Sequence, residues 1–273
     1  MSIELPASRR GPAKRLWRAA APLAVGVAVL TLWQVLVQVN HLPPYILPGP
    51  LAIAQALWSD GPSLLGSLLV TLRTTFAALA AAAFFGGAIA IAFSLSRLLE
   101  ISLLPYALFL QVTPIVAIAP LIIIWVQRPF LALLVCAWIV AFFPIVSNTT
   151  LGLNSADRNL LALFRLYGAS PGQTLRYLRL PTALPYFLAG LRISGGLALI
   201  GAVVAEFVAG TGGAETGLAF RILEAGYRLA IPRLFAALFL LSITGIVIYL
   251  VLDLLSRLLL RHWHESTIEE EEE

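Results

Sequence analysis

This sequence has little charge. Only 12% of its 273 residues are Asp, Glu, Lys or Arg, against roughly 25% in a soluble domain. It has one cysteine, Cys136, set in an apolar run. That excludes an internal disulfide and leaves a metal no thiol pair, so a buried, inert thiol is expected. The three histidines, His41, His262 and His264, fall at segment edges and form no ligand cluster, so no metal site is expected. There is no His-Glu-x-x-His pair and no phosphate-cradling Gly-x-x-x-x-Gly-Lys. Gly210-Thr211-Gly212-Gly213 lacks both the lysine and a preceding strand and reads as a flexible loop. No catalytic residues are assigned, and the chain itself is expected to bind no cofactor and to hydrolyse no ATP.

What the sequence has in quantity is apolar surface. Hydrophobic residues make up 60% of it, and runs of about 20 recur, enough to cross a hydrocarbon core of roughly 30 Å. The net charge is +4, although Glu269 to Glu273 are all acidic and mask a more basic body. That tail reads as a solvated end, and the other basic residues report topology rather than nucleic-acid binding.

In chain order, residues 1–15 form a polar segment carrying Arg9, Arg10, Lys14 and Arg15. The run Leu16 to Val39 is too long for a signal peptide and lacks a clear cleavage site. It reads as a first span with its N-terminus in the cytoplasm. His41 to Ser67 is a Pro/Gly-rich outer loop with an interfacial helix around Leu51 to Trp58. The second span is Leu68 to Leu95, whose Ala/Gly-rich centre, with Gly86-Gly87, suits close helix packing; Arg73 can snorkel from its outer end. Arg97 and Glu100 mark an inner turn. Ile101 to Val126 is a third span broken by Pro105, Pro114 and Pro120, and such kinks suit a pathway-lining helix. Gln127-Arg128-Pro129 turns outside into the fourth span, Phe130 to Thr150. The fifth, Tyr186 to Val208, holds Arg192 and Glu206. A glycine-rich outer turn, Gly210 to Gly217, precedes the sixth, Leu234 to Leu255, where Asp253 and Arg257 can pair at i,i+4. The expected fold is all-α, a polytopic membrane protein with six transmembrane helices spanning 16–262, both termini inside, followed by an acidic tail at 263–273.

Between the fourth and fifth spans lies a stretch that cannot enter lipid, residues 154–185, with Arg158, Arg165, Arg176 and Arg179. Its punctuation predicts two short helices. Ser155 can cap the first, with Asp157 in its first turn, and Gly168 suits the C′ position that ends it. Ser170, Pro171 and Gln173 form a capping box at the start of the second, which Leu180-Pro181 is expected to stop. Leu175 and Leu178 would then form an apolar ridge beside Arg176 and Arg179.

Gly168, Leu178 and Leu180-Pro181 are in the register of the Glu-Ala-Ala loop, which this stretch resembles, of binding-protein-dependent ABC importer permeases. The namesake triplet reads Ala162-Leu163-Phe164 here. Leu47-Pro48-Gly49-Pro50, Pro114 to Pro120, Phe143-Pro144-Ile145 with Asn148-Thr149, and Gly190-Leu191-Arg192 are similar to the nitrate/sulfonate/taurine branch, over about Pro43 to Ile222. The resemblance implies a type I importer permease in the bacterial inner membrane and, in the membrane lipid, a homodimer. It also implies ABC ATPase subunits that use ATP and Mg, and an extracytoplasmic substrate-binding protein. It assigns an ATPase-coupling loop: Gly168, Ala169, Ser170, Pro171, Gln173, Leu175, Arg176, Leu178, Arg179, Leu180 and Pro181. The solute would be a sulfonate, taurine, nitrate or a pyrimidine-type vitamin precursor.

Two other classes stand beside the ATP-driven permease. An ion-coupled carrier should place ionisable groups near the midplane and show internal repeats; Glu206 is the only deep acid, and no repeat is evident. A membrane scaffold would explain the spans but not a proline-broken helix beside a capped elbow. Pro114, Pro120 and Glu206 are the candidate pathway or gate residues, with Glu206 expected to pair with Arg221 or Arg228.

Overall fold

Apolar helices gain little from leaving lipid for one another, so they associate where small side chains let backbones come close. The computed structural model describes residues 12–210 and 216–261, with side chains from Ala21 onward. Arg9, Arg10, the middle of the glycine-rich turn, His262, His264 and the acidic tail lie outside the described residues. Every regular element described is helical: α1 (Pro12–Val39), α2 (Pro50–Ser59), α3 (Gly61–Leu95), α4 (Arg97–Val112), α5 (Ile115–Val126), α6 (Pro129–Asn154), α7 (Arg158–Leu166), α8 (Pro171–Thr174), a π-helical turn (Leu175–Arg179), α9 (Leu180–Ala209), α10 (Leu218–Tyr227) and α11 (Ile231–Leu260). Among them, 5 helices are long and apolar enough to cross a membrane, and α4 with α5 makes a sixth if that bent pair is one span.

The core is the packing of α3, α6 and α9, and α6 with α9 is its most extensive contact. Ala137, Ala141, Ile145, Thr149 and Gly152 recur every three or four residues along one face of α6, and Gly190, Ser194, Ala198, Gly201 and Ala205 along one face of α9. A Cβ at Gly201 would stand 2.8 Å from the Ala137 Cα, and one at Gly190 would stand 2.9 Å from the Pro144 carbonyl. The Ser194 hydroxyl donates to the Ala141 carbonyl at 2.6 Å. On α3, Ala78, Ala82, Gly86 and Ala90 continue the small face, and Gly86 meets Ile145, as a packing role requires. Cys136 is free and buried.

Three expectations need correction. The helix of the second span begins at Gly61, seven residues early, because the turn at Asp60 can start it directly with Pro62 in its first turn. The third span is not one kinked helix: α4 and α5 meet at 102°, and Pro114 alone makes the break. Pro105 and Pro120 sit inside helices. Nor does Leu180-Pro181 stop the second elbow helix, for Pro171–Ala209 is one continuous 39-residue helix. Proline lacks an N–H and its ring crowds the carbonyl four residues back. The π-turn just before it relieves both, since the Leu180 N–H bonds to the Leu175 carbonyl, five residues back.

The seam should fail where a side chain is added. A Cβ at Gly152 would stand 2.7 Å from the Tyr186 Cβ and 2.9 Å from the Ala183 Cα, so Gly152→Val should cost about 1–3 kcal/mol through overpacking. Purified in detergent, this variant should unfold several degrees below the parent by tryptophan fluorescence. Gly66→Val, whose Cβ meets open space, should not.

Candidate functional site

The elbow is built from its caps. Ser155 turns the chain out of α6, its hydroxyl donating to the Gly152 carbonyl. The N-cap of α7 is Asp157, not Ser155: its carboxylate accepts the Asn159 and Leu160 N–H groups at 2.7 and 3.0 Å. An acid at this position also complements the helix dipole. At the far end Gly168 has φ +69. Its N–H bonds to the Arg165 carbonyl at 3.0 Å and the Ala169 N–H to the Phe164 carbonyl at 2.9 Å, the paired bonds of a Schellman end. The second helix then opens with Ser170, whose hydroxyl accepts the Gln173 N–H at 3.2 Å while Gln173 Oε1 accepts the Ser170 N–H at 2.7 Å. Pro171 takes the first position.

The apolar ridge does not face outward. Leu178 is buried, and Leu175 packs on Ala90, Leu153 and Ala183. Because the helix runs on as α9, its apolar face is fixed by the core rather than free for a partner. Arg179 turns back and donates to the Ser94 carbonyl at 2.8 Å, while Arg176 stays exposed over Tyr177. Tyr177 and Leu180 are exposed on the second helix, but most of the exposed apolar residues belong to the first helix and its C-cap: Leu160, Leu163, Leu166 and Tyr167, the last two 83% and 81% exposed. Leu160, Leu163 and Tyr167 are spaced i, i+3, i+7, a stripe legible in the sequence but passed over there. Ala162 and Leu163 are exposed and Phe164 is half-buried.

Pro114 and Pro120 part company. At the α4–α5 bend a cavity of about 310 Å³ is lined by Gln111, Thr113, Pro114, Ile139, Pro144 and Leu197, among others. No ionised side chain lines it. The Thr113 hydroxyl is spent on the Phe109 carbonyl at 2.7 Å. Pro120 lies a turn and a half along α5, outside this lining.

Glu206 stands at the end of α9 far from the elbow, buried, and pairs with neither Arg221 nor Arg228. Its carboxylate accepts the Thr71 hydroxyl at 2.8 Å and the Ala219 N–H at 3.0 Å, and the Thr71 oxygen accepts the Leu218 N–H at 2.9 Å. Thr71 and Glu206 thus cap α10 from two other helices, an acid on the positive end of a helix dipole. A Cβ at Gly217 would fall on the Glu206 carboxylate, so glycine is needed there for close approach. The arginines near this end have other partners. Arg221 and Arg228 hold Glu224 at 3.0 and 2.9 Å, and Arg233 lies 3.8 Å from Asp60. At the other end, Asp253 pairs with Arg192 at 2.9 Å and with Arg257 at 2.8 Å, joining α9 to α11.

A family model described as the binding-protein-dependent transport system inner membrane component matches residues 78–264. The chain is 35% identical over 273 residues to a riboflavin transport system permease protein of Chloroflexus aurantiacus, covering 97% of this chain and 100% of that one. It is 33% identical to a probable ABC transporter permease protein of Haemophilus influenzae, covering 86% of this chain and 95% of that one. Permeases for formylaminopyrimidine, aliphatic sulfonates and taurine are also similar. Among solved structures, an amino acid ABC transporter crystallised with histidines superposes with a TM-score of 0.61 at 18% identity, covering 74% of this chain and 97% of that one; the likeness is one of fold.

Two outcomes follow at the α10 end. Glu206→Gln leaves one acceptor and sets amide hydrogens against N–H and O–H donors, at a cost of about 1–3 kcal/mol. Amides at the start of α10 should exchange with deuterium faster, with the elbow unchanged. Glu224, on the short helix α10, has its carboxyl held below the usual range by the hydrogen bond from Arg221 and the charges of Arg228, Arg221 and Arg233, against a smaller opposing effect of burial. A carboxylate of depressed folded pKa stabilises above its unfolded value of about 4.3 and loses this as pH falls through the folded value. Glu224→Gln should therefore lower the melting temperature at neutral pH and flatten its fall in acid, read by thermal scans across pH.

Proposed function

We infer this chain's working part from its family: it belongs to the inner membrane components of binding-protein-dependent transport systems and is a permease subunit of an ABC importer. Two copies form the membrane unit in the bacterial inner membrane, with both termini and the elbow in the cytoplasm. A separate ATPase, using ATP and Mg, docks on the elbow, and an extracytoplasmic binding protein delivers the solute at the α10 end. The permease itself binds no cofactor.

The observation that supports this reading is continuity. From Ser170 the capped second helix of the elbow runs without interruption into α9 and ends beside the Glu206 cap. A push at the elbow therefore meets a single rod seated along α6, not a hinge. The docking surface is the exposed face of α7, with Leu160, Leu163, Leu166 and Tyr167 beside Arg158 and Arg165; Arg176 flanks it. Closure of the ATPases on ATP moves the two elbows and turns the pathway outward, the binding protein releases its cargo, and hydrolysis resets the cycle.

The pathway is the bend at Pro114, where the helix break frees backbone groups inside the bundle, as broken membrane helices do at solute sites. The faces of α4 and α5 beside it expose Phe109, Val112 and Trp125 at 69%, 78% and 74%, a surface fit for the second copy. A cavity walled by apolar groups, with the Gln111 amide among them, suits an uncharged ring better than a sulfonate, because an anion without a cation is costly away from water. The solute favoured is therefore a heteroaromatic vitamin or its precursor, within a family that also carries sulfonates and taurine.

Gly168→Val tests the elbow. Nothing lies within 4 Å of its Cβ, so the whole penalty is the positive φ, roughly 1 kcal/mol or more. The variant should insert normally yet bind its ATPase more weakly or hydrolyse without uptake, measured by copurification and by uptake at matched expression. Leu163→Asp, on the exposed stripe, should do the same without strain. Intact assembly and coupled uptake in both would remove the elbow from the mechanism.

A further inference from the structure

The elbow carries more positive charge than its own residues answer. Residues 154–185 contain four arginines and one acid, Asp157, and that acid is already spent on the first N–H groups of α7. Among the described residues Arg158, Arg165, Arg176 and Arg179 are in no ion pair. Arg165 and Arg179 converge on a cavity of about 260 Å³ between the end of α3 and the two elbow helices, lined also by Ser94, Leu95, Leu161, Ala169, Pro171 and Thr174. No acid lines it. It is shaped by caps rather than by chance side chains, since Ala169 and Pro171 border the Schellman end and the capping box.

The sequence also holds a run of the opposite sign. Residues 262–273 include Glu265 and Glu269 to Glu273. They leave α11 at the same end of the bundle as the elbow. The Arg192–Asp253 pair sets the level of α11 against α9. From there α11 runs on eight residues to Arg261, about 12 Å, while α9 and the turns before it run back thirteen to Arg179, about 20 Å. The end of α11 is thus about 8 Å short of the cavity's level. Neighbouring helices stand about 8–10 Å apart, and twelve extended residues reach up to about 40 Å. The acidic run can arrive even if α9 has to be rounded.

We propose that the acidic segment Glu269 to Glu273 occupies the basic cavity of the elbow in its own chain and competes there with the docking ATPase. The carboxylates meet Arg165 and Arg179, the two cations that line the cavity, in charge-assisted hydrogen bonds. Such contacts lie near the surface and are screened by salt. The segment and the ATPase therefore compete, and the ATPase must displace it to dock. The docking of the tail is independent of the coupling reading, and the competition rests on it.

The test is a cysteine pair in the full-length chain, Ala169→Cys with Glu271→Cys, treated with a short bismaleimide. Native Cys136 is buried, and each single variant reports any background. An intrachain product is expected, with yield falling severalfold between about 0.1 M and about 1 M salt, where the screening length shrinks from about 10 Å to about 3 Å. It should fall likewise when the remaining glutamates of the run become Gln. A yield no higher than that of Trp58→Cys with Glu271→Cys, at the opposite end of the bundle, overturns the docking, as does a product joining two chains or one indifferent to salt. This arm needs no ATPase, so it is separable from the coupling reading. In the second arm, Gln at all five positions should tighten ATPase binding to the permease severalfold in a titration. Unchanged affinity with the crosslink present overturns the competition.

Discussion

Everything in this structure leans on backbones brought close by small side chains. In lipid an apolar side chain has no solvent to escape, and the contact of α6 with α9 must be made by fit. Alanine, glycine and serine at helical spacing on both faces supply it, and the Ser194 bond to the Ala141 carbonyl ties the seam at a point where no water competes. The seam then fixes the register of α9, and through α9 the face that the elbow's second helix turns inward. The buried positions of Leu175 and Leu178 are set some distance away, by glycines in the membrane.

Backbone hydrogen bonding sets the second constraint. A polar group left unmet in an apolar setting costs far more than a bond gained in water, and each irregular point of the chain shows its remedy. Asp157 serves α7, Ser170 and Gln173 serve the second elbow helix, and the π-turn absorbs Pro181. At the other end α10 starts among buried residues, where its first N–H groups are met by Thr71 and Glu206 from two different helices. Glu206 is thereby a cap with a carboxylate's strength, and its partners are a hydroxyl and a backbone N–H rather than an arginine.

Much of this could be read from the sequence, and the failures share a cause. Spans, the break at Gly168 and the capping box at Ser170 are local: hydropathy over twenty residues, or hydrogen bonds within four, decides them. Asp157 replaced Ser155 as the cap because two good capping residues stand two apart and only the turn after α6 chooses between them. Pro181 misled because a proline's effect depends on whether the preceding turn can widen, and the core holds this helix straight on both sides. The partner of Glu206 lay 135 residues away in α3, and its other contact was to a backbone N–H, which no charge pattern reveals. The apolar stripe of α7 was legible but was outweighed by a neighbouring ridge whose burial is tertiary.

The first helix stands apart from this logic. Almost all of the membrane window of α1 is exposed, Val37 being its buried residue, and among its contacts Gln34 accepts the Leu51 N–H at 3.3 Å and Trp33 packs on Phe235. The matched family region starts only at residue 78. Within this chain, the sequence of α1 answers to partition between water and lipid more than to shape. Most of its positions can drift among apolar residues at no cost to the bundle, and its length can track the thickness of the bilayer in which the cell lives. Evolution should have treated it as a tether, conserving a glutamine and an indole on a stem otherwise free to vary.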